Sequence, residues 1–199
     1  MTNTALTRSQ VVAARQRYQG AFQAVDDILL DVYRKSASAT LTKVILLERV
    51  YSAGIQRAKL TEQVVAKALD GLKLNIDQMA AYGRQYGLNR TSLPTLVSNH
   101  ADLTRDLYRA TGVSHLNSFV SKYLHFHSDA YPIFDSRVET RALKMVNTRA
   151  MTRAKTSMLK PSNSLKNYYR HAVRFLLVYE DSQSLVPGTT VKEVDHLLW

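Results

Sequence analysis

The chain of 199 residues contains no cysteine. That excludes disulfides, thiolate zinc sites, iron–sulfur clusters and a thiol nucleophile in one step, and it fits a reducing compartment. With seven glycines and four prolines, long loops and frequent tight turns are not expected. No apolar run approaches the roughly 18 residues that a membrane span needs. The start, "MTNTALTRSQVV", lacks a basic segment followed by an apolar stretch, so no secretory signal is visible. These absences predict a soluble, cytoplasmic protein with no membrane partner. Acids are scarce where bases are dense. Between Arg137 and Arg174 the sole acid is Glu139, against Arg137, Arg141, Lys144, Arg149, Arg153, Lys155, Lys160, Lys166, Arg170 and Arg174.

The formal charge is +11. A one-signed stretch of this length repels itself unless an anion neutralises it, and nucleic acid is the usual anion. The plain alternative is a solvated basic surface. Hydrophobic residues make up 45% of the chain, enough for one full core.

Helical periodicity runs almost throughout, and no segment alternates with period two between hairpin turns. The expectation is an all-α fold, with about eight to ten helices of ordinary length. It is a single domain over residues 1–199, with room for two helical halves around a cleft. Thr7 and Gln10 have capping-box spacing, and Val11, Tyr18, Phe22, Val25, Leu29 and Val32 then follow at helical steps. In "TLTKVILLERVYSAGIQRAK" the apolar residues cover most of the circumference, which predicts a central, buried helix. Gly71 and Gly87 mark helix ends. "NRTSLPTLVSNH" predicts a turn and a short helix from Pro94, and "ADLTRDLYRATG" another helix up to Gly112. Thr190 and Glu193 form a second capping box before "VKEVDHLLW". The stretch 147–164 is the least core-like and is expected to be a basic loop.

The densest chemistry lies in "SKYLHFHSDAYPIFDSRVE", residues 121–139. Leu116, Phe119, Val120, Tyr123 and Leu124 make one apolar stripe, which sets Ser118, Lys122 and His125 on the opposite flank. His127 diverges from His125, which argues against a helical metal site, so His127 is expected to be a core or capping histidine. Pro132 interrupts the helix. Ser136 and Glu139 have capping-box spacing, so Ser136 is the expected N-cap of the next helix. Asp135 would then be free at the positive end of a helix dipole; the alternative is that Asp135 itself is the cap.

This order of elements resembles the helix-hairpin-helix DNA glycosylase superfamily over roughly residues 40–145. The family's hairpin, written L-P-G-V-G, has "ATGVS" (110–114) as its counterpart, and its V-D-T-H-V has "FDSRV" (134–138). Thr111 stands where the hairpin has Pro, and Ser114 where it has its second Gly. The position of the family's Schiff-base lysine falls near Leu116, with Lys122 about a turn and a half further on. The resemblance implies binding of duplex DNA without a cofactor. It implies a phosphate grip at Gly112 and Ser114, and Asp135 as the carboxylate that assists cleavage of the N-glycosidic bond of a flipped base.

Around that expectation, Lys122 or His125 would contact phosphate or protonate the leaving base. Tyr51, Tyr123 or Tyr131 would stack on the base. Arg137, Arg141, Lys144, Arg149, Arg153, Lys155 and Lys160 would hold the backbone. Two further classes stay open: a non-catalytic DNA- or RNA-binding module, and an antitoxin-like or phage-defence interaction protein with a protein partner.

Overall fold

The computed structural model describes residues 5–35, 39–114, 116–146, 151 and 166–199. Ten α-helical segments occur among them, and no strand. The first, α1 (Arg8–Arg17), starts at the expected capping box of Thr7 and Gln10. A π turn over Tyr18–Phe22 then joins it to α2 (Gln23–Arg34).

The π turn corrects the expected periodicity. A π turn holds an extra residue, so the phase of everything beyond it slips by about one position. Val11, Ala14 and Tyr18 face inward before it; Asp26, Leu29 and Tyr33 face inward after it. Phe22, Val25 and Ile28, which lie on the expected apolar stripe or beside it, are exposed. A carboxylate has taken the place of a valine in the interior.

The helix expected to be central is α3 (Thr40–Tyr51), and it is not buried all round: Ile45 and Val50 are exposed. It is tied to α2 by reciprocal bonds. The Tyr33 hydroxyl donates to the Lys43 carbonyl at 2.8 Å, and Lys43 Nζ donates to the Tyr33 carbonyl at 3.1 Å. Next come α4 (Glu62–Asp70), ending at Gly71, and α5 (Lys73–Tyr86), ending at Gly87. The two helices expected around Pro94 and Gly112 are one, α6 (Leu93–Thr111), with Pro94 in its first turn, where a missing N–H costs nothing. Gly112 closes α6 in the left-handed region, φ 72°.

The central helix is α7 (Asn117–His127). Every residue from Phe119 to His127 is buried, because α2, α3, α5 and α6 pack around it. The chain then crosses the interior as "SDAYPIFD" and enters α8 (Ser136–Met145). Two further helices, α9 (Lys166–Leu185) and α10 (Val191–Leu198), complete the described chain, and α10 starts at the expected Thr190–Glu193 capping box. It packs on α1 and α8. Apolar side chains from Leu29 to Leu198 join in one core cluster.

Gly83 allows α5 to approach the segment after α7. A Cβ there would stand 2.5 Å from Ser128 Oγ and 3.0 Å from the Tyr131 ring, and both neighbours are buried. Gly83→Ala should therefore lower stability by about 1–3 kcal/mol through overpacking, despite alanine's better helix propensity. Ser128→Ala should recover part of the loss, as read from denaturant midpoints. A stabilised Gly83→Ala protein would contradict this packing.

Candidate functional site

The segment between α7 and α8 is extended, yet it runs through the core: Tyr131 and Ile133 are fully buried. Buried backbone groups need partners, and an extended segment cannot supply its own. Here side chains supply them at four consecutive residues. His125 Nδ1 lies 2.7 Å from the Tyr131 carbonyl. The Tyr168 hydroxyl donates to the Pro132 carbonyl at 3.1 Å. His171 Nε2 lies 2.7 Å from the Ile133 carbonyl. The Ser121 hydroxyl accepts from the Phe134 N–H at 2.9 Å. Since carbonyls only accept, His125 Nδ1 and His171 Nε2 carry the protons.

This framework delivers Asp135 to a fixed place, and the expected cap is corrected. Asp135, not Ser136, is the N-cap of α8: its Oδ1 accepts from the Arg137 N–H at 2.9 Å. Asp135 is therefore not a free carboxylate. Its other oxygen, Oδ2, lies 3.8 Å from Lys122 Nζ. The Lys122 side chain is 1% exposed against 20% for Asp135, and Lys122 Nζ donates to the Tyr51 carbonyl at 3.0 Å. Burial lowers the Lys122 pKa below the ordinary lysine value, while Asp135 and Asp195 act in the opposite direction.

The polar flank expected for α7 is thus inside the protein. Periodicity detects a polar face but not a second polar element packed against it. That element is α10, whose Lys192, Asp195 and His196 are all buried. Lys192 Nζ lies 3.0 Å from Asp26 Oδ2, an ion pair by distance whose donor geometry is too poor for a hydrogen bond. It also lies 4.1 Å from the Phe126 ring centroid. The Tyr51 hydroxyl donates to Asp26 Oδ1. His196 stacks on Phe22, centroids 4.5 Å apart, with Nε2 4.0 Å from Asp26 Oδ2. Burial lowers the Lys192 pKa and pushes the Asp195 carboxyl up to about 7.

Of the expected site residues, Lys122, Asp135 and Tyr51 come together. His125 is fully buried with its ring committed to the Tyr131 carbonyl, and burial keeps it neutral, so it takes a structural place rather than a catalytic one. Tyr123 and Tyr131 are also buried and cannot stack on a base in this conformation. Tyr131 donates to the Met79 carbonyl at 2.8 Å and accepts from Asn99 at 2.9 Å. His127 packs edge-on against Tyr33 in the core. Among the described residues no set of three or more His, Asp or Glu side chains gathers as metal ligands.

Gly112 and Ser114 are exposed at the turn between α6 and α7. Arg137, Arg141 and Lys144 are exposed at i, i+4 and i+7, one face of α8. Nearby on α9, Arg170 is exposed, and Arg174 pairs with Glu139 at 3.4 Å. Arg149, Arg153, Lys155, Lys160 and the expected basic loop 147–164, except Met151, lie outside the described residues. The sequence reading missed Asp26, Lys192, Asp195 and His196. A glycine in mid-helix, Gly20, and charges at i, i+3 and i+4 in "VKEVDH" were the signals.

Among the described residues no helix is long and apolar enough to cross a membrane. No family model, curated protein or solved structure matches the chain.

Five histidines are buried and kept neutral. Burial lowers the pKa of His100 and His127 to about 3, of His171 and His196 to about 4, and of His125 well below its ordinary value. The unfolded chain takes up these protons below about pH 6.5, and the native state does not until about pH 4. Their contribution to stability is complete above 6.5 and is lost as pH falls towards 4. Asp195 runs the other way, its contribution being lost as pH rises from about 4 to 7. Five protons against one give a net loss on acidification, at about 1.4 kcal/mol per pH unit per proton. The melting temperature should fall steeply from pH 6.5 to 4.5, and more steeply in Asp195→Asn. A flat profile in that window would remove the neutral-histidine account.

Proposed function

We propose that the protein binds duplex DNA through the basic face of α8 and excises a base, with Lys122 and Asp135 as the reacting pair. The observation that carries this reading is their 3.8 Å approach at the start of the helix that bears Arg137, Arg141 and Lys144. Phosphates on that face would place the backbone, and the target nucleotide would turn out of the stack towards Asp135. Asp135 Oδ2 would stabilise positive charge on the sugar as the glycosidic bond breaks. Burial weakens the hold of Lys122 on its proton, the condition for an amine nucleophile. Its nitrogen would bond to C1′ as the bond from C1′ to the base breaks, and the base would leave with the electron pair and take up a proton.

Lys122 is buried beneath the Tyr51 carbonyl, so this chemistry requires the end of α3 to give way on binding. The same burial is what favours the second reading, a nucleic-acid-binding module without catalysis.

A duplex carrying one abasic site tests both. Incubation with borohydride should leave a covalent adduct that maps to Lys122 and is lost in Lys122→Gln. Asp135→Asn should slow its formation by about 10²-fold. Arg141→Glu with Lys144→Glu should weaken binding by about tenfold or more and flatten its salt dependence. Salt-sensitive binding with no adduct would leave the binding module and sink the catalytic reading. No binding to duplex at low salt would sink both.

A further inference from the structure

Helix α10 buries Lys192, Asp195 and His196, at i, i+3 and i+4, beside the apolar anchors Val191, Val194 and Leu198. Burying charge is costly unless it is balanced, so each group needs an account. Lys192 lies by Asp26, and His196 stacks on Phe22. Asp195 is 2% exposed, and its Oδ1 has no hydrogen-bond partner. The charges acting on it are, strongest first, Lys192 on its own helix, Asp26 on α2, Lys122 on α7 and Asp135 before α8. Glu48 and Arg57 act on Lys122 from the other side, and His125 borders Lys192 and His196.

Two buried ammonium groups, Lys122 and Lys192, face three carboxylates, Asp26, Asp135 and Asp195. Fully ionised, the cluster carries one negative charge too many, and one carboxylate is the natural seat for a proton. Asp26 accepts from Tyr51 and lies by Lys192, and Asp135 accepts from the Arg137 N–H, so both are held as anions. Asp195 has no such bond at Oδ1.

We propose that Asp195 is the proton acceptor for the Lys122 amine, delivered to the Lys122–Asp135 pair by the C-terminal helix. One N–H bond of the Lys122 ammonium breaks, its electron pair stays on Nζ, and an O–H bond forms on Asp195. Nothing is oxidised or reduced, and the net charge of the cluster does not change. Asp195 acts through Lys122, which makes it a positioning residue. The proposal rests on Lys122 as the reacting amine.

The test titrates Lys122 Nζ and Asp195 Cγ by NMR in the full chain without DNA, in wild type, Asp195→Asn and Lys122→Gln. Asp195→Asn removes a negative charge beside the ammonium and should lower the Lys122 midpoint by about half a pH unit or more. Because linkage is reciprocal, Lys122→Gln should raise the Asp195 midpoint by a similar amount. If Lys122→Gln does not fold, the near-isosteric Asp195→Asn decides alone. An unmoved Lys122 midpoint in Asp195→Asn overturns the proposal, since a merely structural aspartate would leave it unmoved. A second arm follows adduct formation with the abasic duplex against pH. The rate should rise through neutrality as Asp195 ionises; in Asp195→Asn that limb should vanish and the rate fall by about 10²-fold. Coupled titration without any adduct supports the proton acceptor and sinks the base-excision reading. An adduct without coupling sinks the acceptor alone.

Discussion

Four side chains hold the backbone of a segment that could not otherwise lie in the core, and much of the protein follows from that constraint. An extended strand of chain in the interior leaves its carbonyls and N–H groups without neighbours of their own kind. Each group left unpaired would cost about 1–3 kcal/mol. His125, Tyr168, His171 and Ser121 remove that cost at Tyr131, Pro132, Ile133 and Phe134. The arrangement accounts for polar side chains on α7 and α9 at positions otherwise surrounded by Phe, Leu and Val. It also fixes where the chain emerges, and so where α8 begins and where Asp135 stands.

Charge sets the second constraint. Two lysines in a protein interior are tolerable only if carboxylates reach them. Those carboxylates come from three distant parts of the chain. The π turn rotates Asp26 inward, the pinned segment presents Asp135, and α10 carries Asp195 together with Lys192. None of the three is a local consequence of its own helix. A plain α turn at Tyr18–Phe22 would aim Val25 inward and leave Lys192 without its nearest anion, so the π turn and the C-terminal helix depend on one another.

Local chemistry was legible in the sequence. The capping boxes at Thr7 and Thr190, the helix ends at Gly71 and Gly87 and the interruption at Pro132 depend on residues a few positions apart, and the structure has them. The proximity of Asp135 and Lys122 was legible as two neighbours in one stretch, though not as a contact. What failed was what a helix face meets. Lys122 and His125 form a polar flank in projection, and only the docking of α10 and the crossing of Tyr131–Asp135 turn that flank inward. The choice between Asp135 and Ser136 as cap was beyond sequence, because both side chains suit the position. The tethered segment decides it by fixing the approach to α8. A phase slip at a π turn leaves no composition signal beyond Gly20, so Asp26 went unread.

The two oxygens of Asp135 divide its work. Oδ1 takes the N–H of Arg137, and Oδ2 faces the Lys122 ammonium. One carboxylate therefore joins the first turn of a helix with an exposed basic face to a buried, charge-balanced cluster. An anion drawn to that face changes the potential at the helix start, where the macrodipole already favours negative charge. That change acts on the Asp135 carboxylate, and through it on the balance among Lys122, Asp195 and Lys192. The outer face and the inner cluster are electrically one system, with a single residue as the joint. Asp135→Asn keeps the shape of that joint and removes its charge. An N-cap tolerates that exchange almost without loss. Lys122 does not, because its nearest counter-charge disappears.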